Sequence, residues 1–150
     1  MKKQKKIIII GIIVLAFAII GGGIYLKNSS NQSAISQSSV MSPNGLRLKI
    51  INKEKSEYLN NNKDYDLSTL KIKIKNEGTD TVPIGAVDFE AKLSNGKTLI
   101  PDSSYNGFYL EAKSDTAKEE NLFFKVPKSQ KITELIYHND SKNDVELEVK

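Results

Sequence analysis

Cysteine is absent from this 150-residue chain. That excludes a disulfide framework, a thiolate zinc site, a cysteine nucleophile and a lipid-modified N-terminal cysteine, so stability has to come from packing. Arginine is nearly absent: Arg47 is the only one among 22 basic residues, while Asn, Ile and Lys are plentiful. Such usage is what AT-rich codons give and points to a low-GC bacterium. Helical periodicity is missing outside the N-terminus, and no repeat of fixed period occurs. There is also no glycine-rich phosphate loop, no metal-ligand cluster and no paired-carboxylate cleft, so neither an enzyme nor a cofactor is expected.

One long apolar run is present, Ile7 to Leu26, with Lys2, Lys3, Lys5 and Lys6 before it and Lys27 after it. As a helix its 20 uncharged residues would span about 30 Å, the thickness of a hydrocarbon core. The lysine cluster assigns residues 1–6 to a cytoplasmic basic tail and sends the remainder outside. Ile7 to Ile20 followed by Gly21, Gly22 and Gly23 also fits a signal peptide, which would make the protein a secreted factor. The run is read instead as a retained signal anchor, because Ile24, Tyr25 and Leu26 carry it to bilayer length and a tyrosine suits the outer interface.

Residues 27–44 are rich in Ser, Asn and Gln and have no apolar period. They read as a flexible linker, whose 17 residues from Asn28 to Asn44 would hold a domain about 20–25 Å from the membrane. The formal net charge of +4 belongs to the anchor: five basic residues lie in it, leaving 17 against 18 acidic beyond it. A domain this close to neutrality has no electrostatic footprint for a polyphosphate, so no nucleic-acid partner is expected.

From residue 45 the pattern alternates. Leu46, Leu48 and Ile50 face one way, and Leu70, Ile72 and Ile74 do so opposite Lys71, Lys73 and Lys75. Lys53 to Asp66 is polar and reads as a long loop with room for a short strand or turn. Asn76 and Gly78 signal a turn, and Pro83 implies an edge or a bulge. Val87, Phe89, Ala91 and Leu93 precede Asn95-Gly96, a two-residue hairpin signal, with Thr98 to Ile100 pairing back. Leu122, Phe124 and Val126, then Ile132 to Tyr137, then Val145, Leu147 and Val149 complete the set. Seven or eight short strands at this spacing predict an all-β antiparallel sandwich over residues 45–150.

The strand ending in Asn76 and Gly78, the strand into Asn95 and Gly96, and Leu122, Phe124, Val126 and Pro127 followed by Leu135 and Tyr137 resemble the telokin-like or immunoprotective-antigen-like bacterial domains. These are immunoglobulin-fold domains of unknown function, often found behind an anchor and a low-complexity linker. The resemblance implies an immunoglobulin-like sandwich and carries over no active-site residue. It also departs from the family: a Pro-Gly turn common there is replaced by Ala112, Lys113, Ser114 and Asp115.

Two sets of residues are candidate interaction surfaces. Tyr105, Phe108 and Tyr109 lie in or beside a loop, where exposed aromatics anchor recognition; the alternative is that Phe108 and Leu110 plug the core while the tyrosines cap it. Lys71, Lys73 and Lys75 offer a basic row to anionic wall polymers or acidic lipid, set against a solvated face whose lysines discourage edge pairing. Asp88 and Glu90 are expected to pair with such lysines across strands. Asp64 and Asp66, and Asn139, Asp140, Asn143 and Asp144, lack the calcium-loop spacing. His138, the single histidine, has no recognisable catalytic partners.

The expected protein is a non-enzymatic, membrane-anchored extracellular module of a Gram-positive bacterium that binds a protein or cell-wall component. The alternatives are an accessory subunit of a membrane secretion, transport or signalling complex, or a cleaved and secreted factor.

Overall fold

The computed structural model describes residues 39–59, 62–139 and 143–150. The basic tail, the apolar span, most of the linker, Asn60, Asn61 and Asp140 lie outside the described residues. Among those described, no helix is long and apolar enough to cross a membrane.

The described residues are all-β, with ten strands: β1 (Val40–Met41), β2 (Leu46–Glu57), β3 (Tyr65–Asn76), β4 (Val82–Gly85), β5 (Phe89–Leu93), β6 (Thr98–Leu99), β7 (Tyr109–Ala112), β8 (Ala117–Pro127), β9 (Ile132–Tyr137) and β10 (Val145–Glu148). One four-stranded sheet has the order β1-β2-β3-β8 and another β10-β9-β5-β6, while β4 and β7 form a two-stranded ribbon. Every pairing is antiparallel. The alternating residues Leu48, Ile72 and Phe124 of the first sheet and Phe89, Leu135 and Leu147 of the second belong to one hydrophobic cluster.

Several elements differ from the reading of the sequence. Ten strands among the described residues exceed the seven or eight expected. Val40–Met41 contributes one from within the stretch read as linker, being too short to carry a period of two. The polar stretch after Ile50 continues as strand rather than loop. A register shift between Ile50 and Asn52 turns the strand over, so Lys53, Lys55 and Glu57 oppose the buried Leu70, Ser68 and Asp66, while Lys55 and Glu57 themselves stay exposed. Burial, reinforced by Lys131, lowers the Lys53 pKa, and Lys55 Nζ meets the buried Asp66 at 2.7 Å. Alternation disappears here because the positions facing inward at this end are polar.

Val87, expected to open a strand facing the core, is 88% exposed in a 3₁₀ turn over Ala86–Asp88. The Asp88 carboxylate accepts the Gly85 backbone N–H at 2.7 Å and starts that turn. At Asn95-Gly96 the backbone amide of Leu93 donates to the Lys97 carbonyl and only Gly96 has positive φ (82°). The hairpin loop therefore has three residues and ends in a left-handed glycine, not the two-residue turn that the dipeptide suggested. In place of the Pro-Gly turn, Asp115 adopts φ 58°, a conformation that aspartate tolerates better than most residues.

The outer face of the first sheet carries an ion-pair cluster. Arg47 grips Glu77 through two bonds, Nε to Oε1 at 2.9 Å and a terminal guanidinium nitrogen to Oε2 at 2.8 Å, and Lys75 adds a third at 3.2 Å. Arg47 first, with Lys75, pulls the Glu77 pKa from its ordinary 4.5 to about 2. A carboxylate with a depressed folded-state pKa contributes stability that is present above the unfolded value and lost as pH falls through the folded one. The melting temperature is therefore expected to fall between about pH 4.5 and 2, and Glu77→Gln should flatten that part of the curve. Thermal melts of the two proteins across this range check it, and an equal fall in melting temperature for both would show that the pair does not contribute.

Candidate functional site

The loop between β6 and β7 is fixed by one residue. Asp102 donates its backbone N–H to the Phe123 carbonyl at 2.7 Å, which lays the loop along the outer edge of β8. Its carboxylate accepts the Ser104 N–H through Oδ1 at 2.8 Å and the Tyr58 hydroxyl through Oδ2 at 2.6 Å. Partial burial works to raise the Asp102 pKa, but the bonds from Tyr58 and Ser104 prevail and hold it below the usual carboxylate range. The same bond, with burial added, raises the Tyr58 hydroxyl pKa. Both shifts agree with a phenol donating to an ionised carboxylate.

On this frame the aromatic side chains separate. Tyr105 stacks on Phe123, with centroids 5.2 Å apart and planes at 20°, and is half-buried. Phe108 packs against the core and tilts onto Phe89 at 6.1 Å, so it serves as the plug envisaged for it. Tyr109 stands 73% exposed on β7 opposite Gly85. The three expected residues are thus not one patch: one stacks beside a cleft, one is core and one faces outward.

Two clefts flank Ile100 to Ser103. The first, of about 470 Å³, is lined by Ala86, Val87, Ile100, Pro101, Tyr105 and Gly107 together with Asp102 and Ser103. Val87 and Ile100, 88% and 75% exposed, put unusual apolar surface at its rim. The second, of about 600 Å³, lies among Tyr58, Tyr65, Leu99, Ile100, Ser103 and Lys125. There the Lys125 ammonium sits 4.3 Å from the Tyr65 ring centroid and 4.9 Å from that of Tyr58. By register, Tyr65, Phe123 and Lys125 belong to the face opposite Leu70 and Phe124.

Sequence reading missed Tyr58, Tyr65, Val87, Ile100, Asp102 and Lys125. Two tyrosines bracketing the Asn run, and an isoleucine placed directly before Pro101, were the available signals.

The basic row lies on a partly exposed face but not at a sheet edge. Lys71, Lys73 and Lys75 lie on β3, between β2 and β8, so they guard no sheet edge. Lys71 pairs with Glu119 at 2.8 Å, Lys75 with Glu77, and Lys73 stands opposite Glu119 in the ladder. Hydrogen bonding from Lys71, then its charge and that of Lys73, lowers the Glu119 pKa. Asp88 and Glu90 do not face these lysines: Asp88 caps Gly85, and Glu90 belongs to β5 of the other sheet. His138 lies between two carboxylates, with Nδ1 3.0 Å from Asp144 and Nε2 3.7 Å from Glu90. Among the described residues no group of three or more acidic or histidine side chains is arranged to hold a metal.

A family described as a domain of unknown function, DUF4352, matches residues 29–145. No curated protein matches the chain. Two solved structures from Bacillus subtilis share the fold. One is the candidate lipoprotein ycdA, with a TM-score of 0.59 and 22% identity over 77% of this chain and 39% of that protein. The other is the yjhA protein, with a TM-score of 0.52 and 13% identity over 75% of this chain and 96% of that one. The chain thus spans about two fifths of ycdA and nearly all of yjhA.

Proposed function

The chain belongs to the DUF4352 family, and from that premise we propose that it is a membrane-anchored, extracellular, non-enzymatic interaction module at the surface of a Gram-positive bacterium. In this reading the two sheets that share one core make an immunoglobulin-like sandwich of the telokin-like kind, displayed on a flexible linker. The observation that carries it is the rim of the first cleft, where Val87 and Ile100 hold apolar surface in solvent without serving the core. The uncharged run Ile7 to Leu26 behind a lysine cluster supports the location. So does the fold likeness to a candidate lipoprotein. The chain has no cysteine for a lipid to modify, so the anchor proposed here is the apolar run.

The full chain in detergent is expected to bind isolated Gram-positive cell envelopes. Changing Val87 and Ile100 together to aspartate should weaken that binding by about tenfold or more, as truncation of interface anchors does. Both side chains are exposed, so the melting temperature should hardly move. Equal binding by the variant, or no binding by the wild type, would overturn the reading.

A further inference from the structure

We propose that Tyr58, Tyr65 and Lys125 form a binding site for an acidic carbohydrate, the lysine taking the anionic group and the tyrosine rings the apolar face of the sugar. This rests on the surface-module reading and gives that module a ligand class.

Charge is the first argument. The Lys125 ammonium lies 4.3 and 4.9 Å from two ring centroids, a placement that steadies a cation while leaving its N–H groups undirected. Among the described residues no carboxylate lies within ion-pairing distance of it. The nearby acid, Asp102, is already engaged by Tyr58 and Ser104. Elsewhere on this face Lys71 is held by Glu119, and Arg47 and Lys75 by Glu77. The Lys125 charge reaches Asp102 and helps to lower its pKa, but among the described residues no carboxylate pairs directly with the ammonium, so its N–H groups are open to an added anion.

Shape and chemistry supply the second argument. The cleft of about 600 Å³ falls in the range of small-ligand sites. Aromatic rings and the apolar sides of Leu99, Ile100 and Pro101 stand beside the Ser103 hydroxyl, the tyrosine oxygens and the Asp102 carboxylate, which can accept from sugar hydroxyls. A sugar ring presents the same mixture, an apolar C–H face rimmed by hydroxyls. An acidic peptide is less well served, because its usual extended mode needs a free strand edge. Beside this cleft the Phe123 carbonyl on the β8 edge is already taken by Asp102.

The test is titration calorimetry of the full chain in detergent with four probes: an oligogalacturonate, a phosphorylated maltooligosaccharide, a neutral maltooligosaccharide and poly-glutamate. One or both acidic probes of the first pair should bind, and which of them does so distinguishes a carboxylate source from a phosphate source. Binding should weaken with added salt, fall by about tenfold or more in Lys125→Met, and be kept in Lys125→Arg, which preserves the charge and stacks on rings. Unchanged affinity in Lys125→Met, equal binding of poly-glutamate or of the neutral sugar, or no binding of either acidic probe would overturn the proposal. Envelope binding that persists in Lys125→Met overturns this site while leaving the surface module standing. Acidic-sugar binding without envelope binding supports the site and overturns that broader reading.

Discussion

Replacing Phe89 with alanine is expected to lower the unfolding free energy by about 3–5 kcal/mol, the usual cost of emptying a buried phenylalanine site. Phe89 is fully buried and begins β5 directly after the 3₁₀ turn, where it meets two other rings: Tyr137 of β9 at 5.2 Å and Phe108 of the site loop at 6.1 Å. Truncation removes its own burial and both ring contacts, each worth about 0.5–1.5 kcal/mol beyond area. Pairing with β9 at Tyr137 restricts collapse into the gap, and β6 holds the same strand two residues further on. A domain of this size has about 5–15 kcal/mol in total, so the loss is a large share. Urea unfolding with an unchanged slope would measure it, and Phe89→Leu should cost clearly less. A loss below about 1 kcal/mol would mean that Phe89 does not organise this end of the core.

The same residue links stability to the site. Phe108 rests on Phe89, and the Phe108 carbonyl accepts the Ala86 N–H at 2.9 Å, next to the rim residue Val87. The exposed side chains of the cleft are thus carried on a segment whose rigidity comes from a buried ring. Polar contacts do the corresponding work on the other side, through Asp102.

How much of this was legible in the sequence depended on whether a residue's role was local. Leu70, Ile72 and Ile74 alternate because β3 has one dry face and one wet face, and period two records that directly. The continuation of β2 was illegible because the bulge exchanged its faces where the inward neighbours are polar. Val87 carried a strand-like pattern that one capping bond from Asp88 overrode. The lysine row was visible as charge, but not as the middle of a sheet. Its place there comes from β8, whose pairing with β3 joins residues as distant as Tyr65 and Pro127. The Tyr58–Asp102 bond and the rings around Lys125 are also contacts between distant segments, which no short window contains.

Asn76→Ala should be the most damaging polar substitution among the described residues, by about 2–4 kcal/mol, because it leaves the buried Ala112 carbonyl and two part-buried backbone groups without their partner. Asn76 is fully buried. Its Nδ2 donates to the carbonyls of Asp80 and Ala112, both at 2.7 Å, and its Oδ1 accepts the Gly78 N–H at 2.9 Å. Its backbone meanwhile donates to the Thr116 carbonyl and accepts from Asp115 N–H, each at 3.0 Å. One side chain therefore closes the turn after β3 and binds it to the end of β7. The close approach of Gly45 and Gly78, where a Cβ on Gly45 would come within 3.0 Å of Gly78 Cα, brings in the turn before β2 as well. Aspartate at this position separates hydrogen bonding from volume. At neutral pH a carboxylate would face two carbonyls, so Asn76→Asp should cost at least as much as alanine. Its carboxyl would titrate above its unfolded value, so stability should recover as pH falls and a protonated oxygen can donate to one of them. Chemical unfolding of both variants at pH 7 and pH 4 would show this. Losses under about 1 kcal/mol, or no recovery of the aspartate variant in acid, would mean that the three connections hold together without the Asn76 amide.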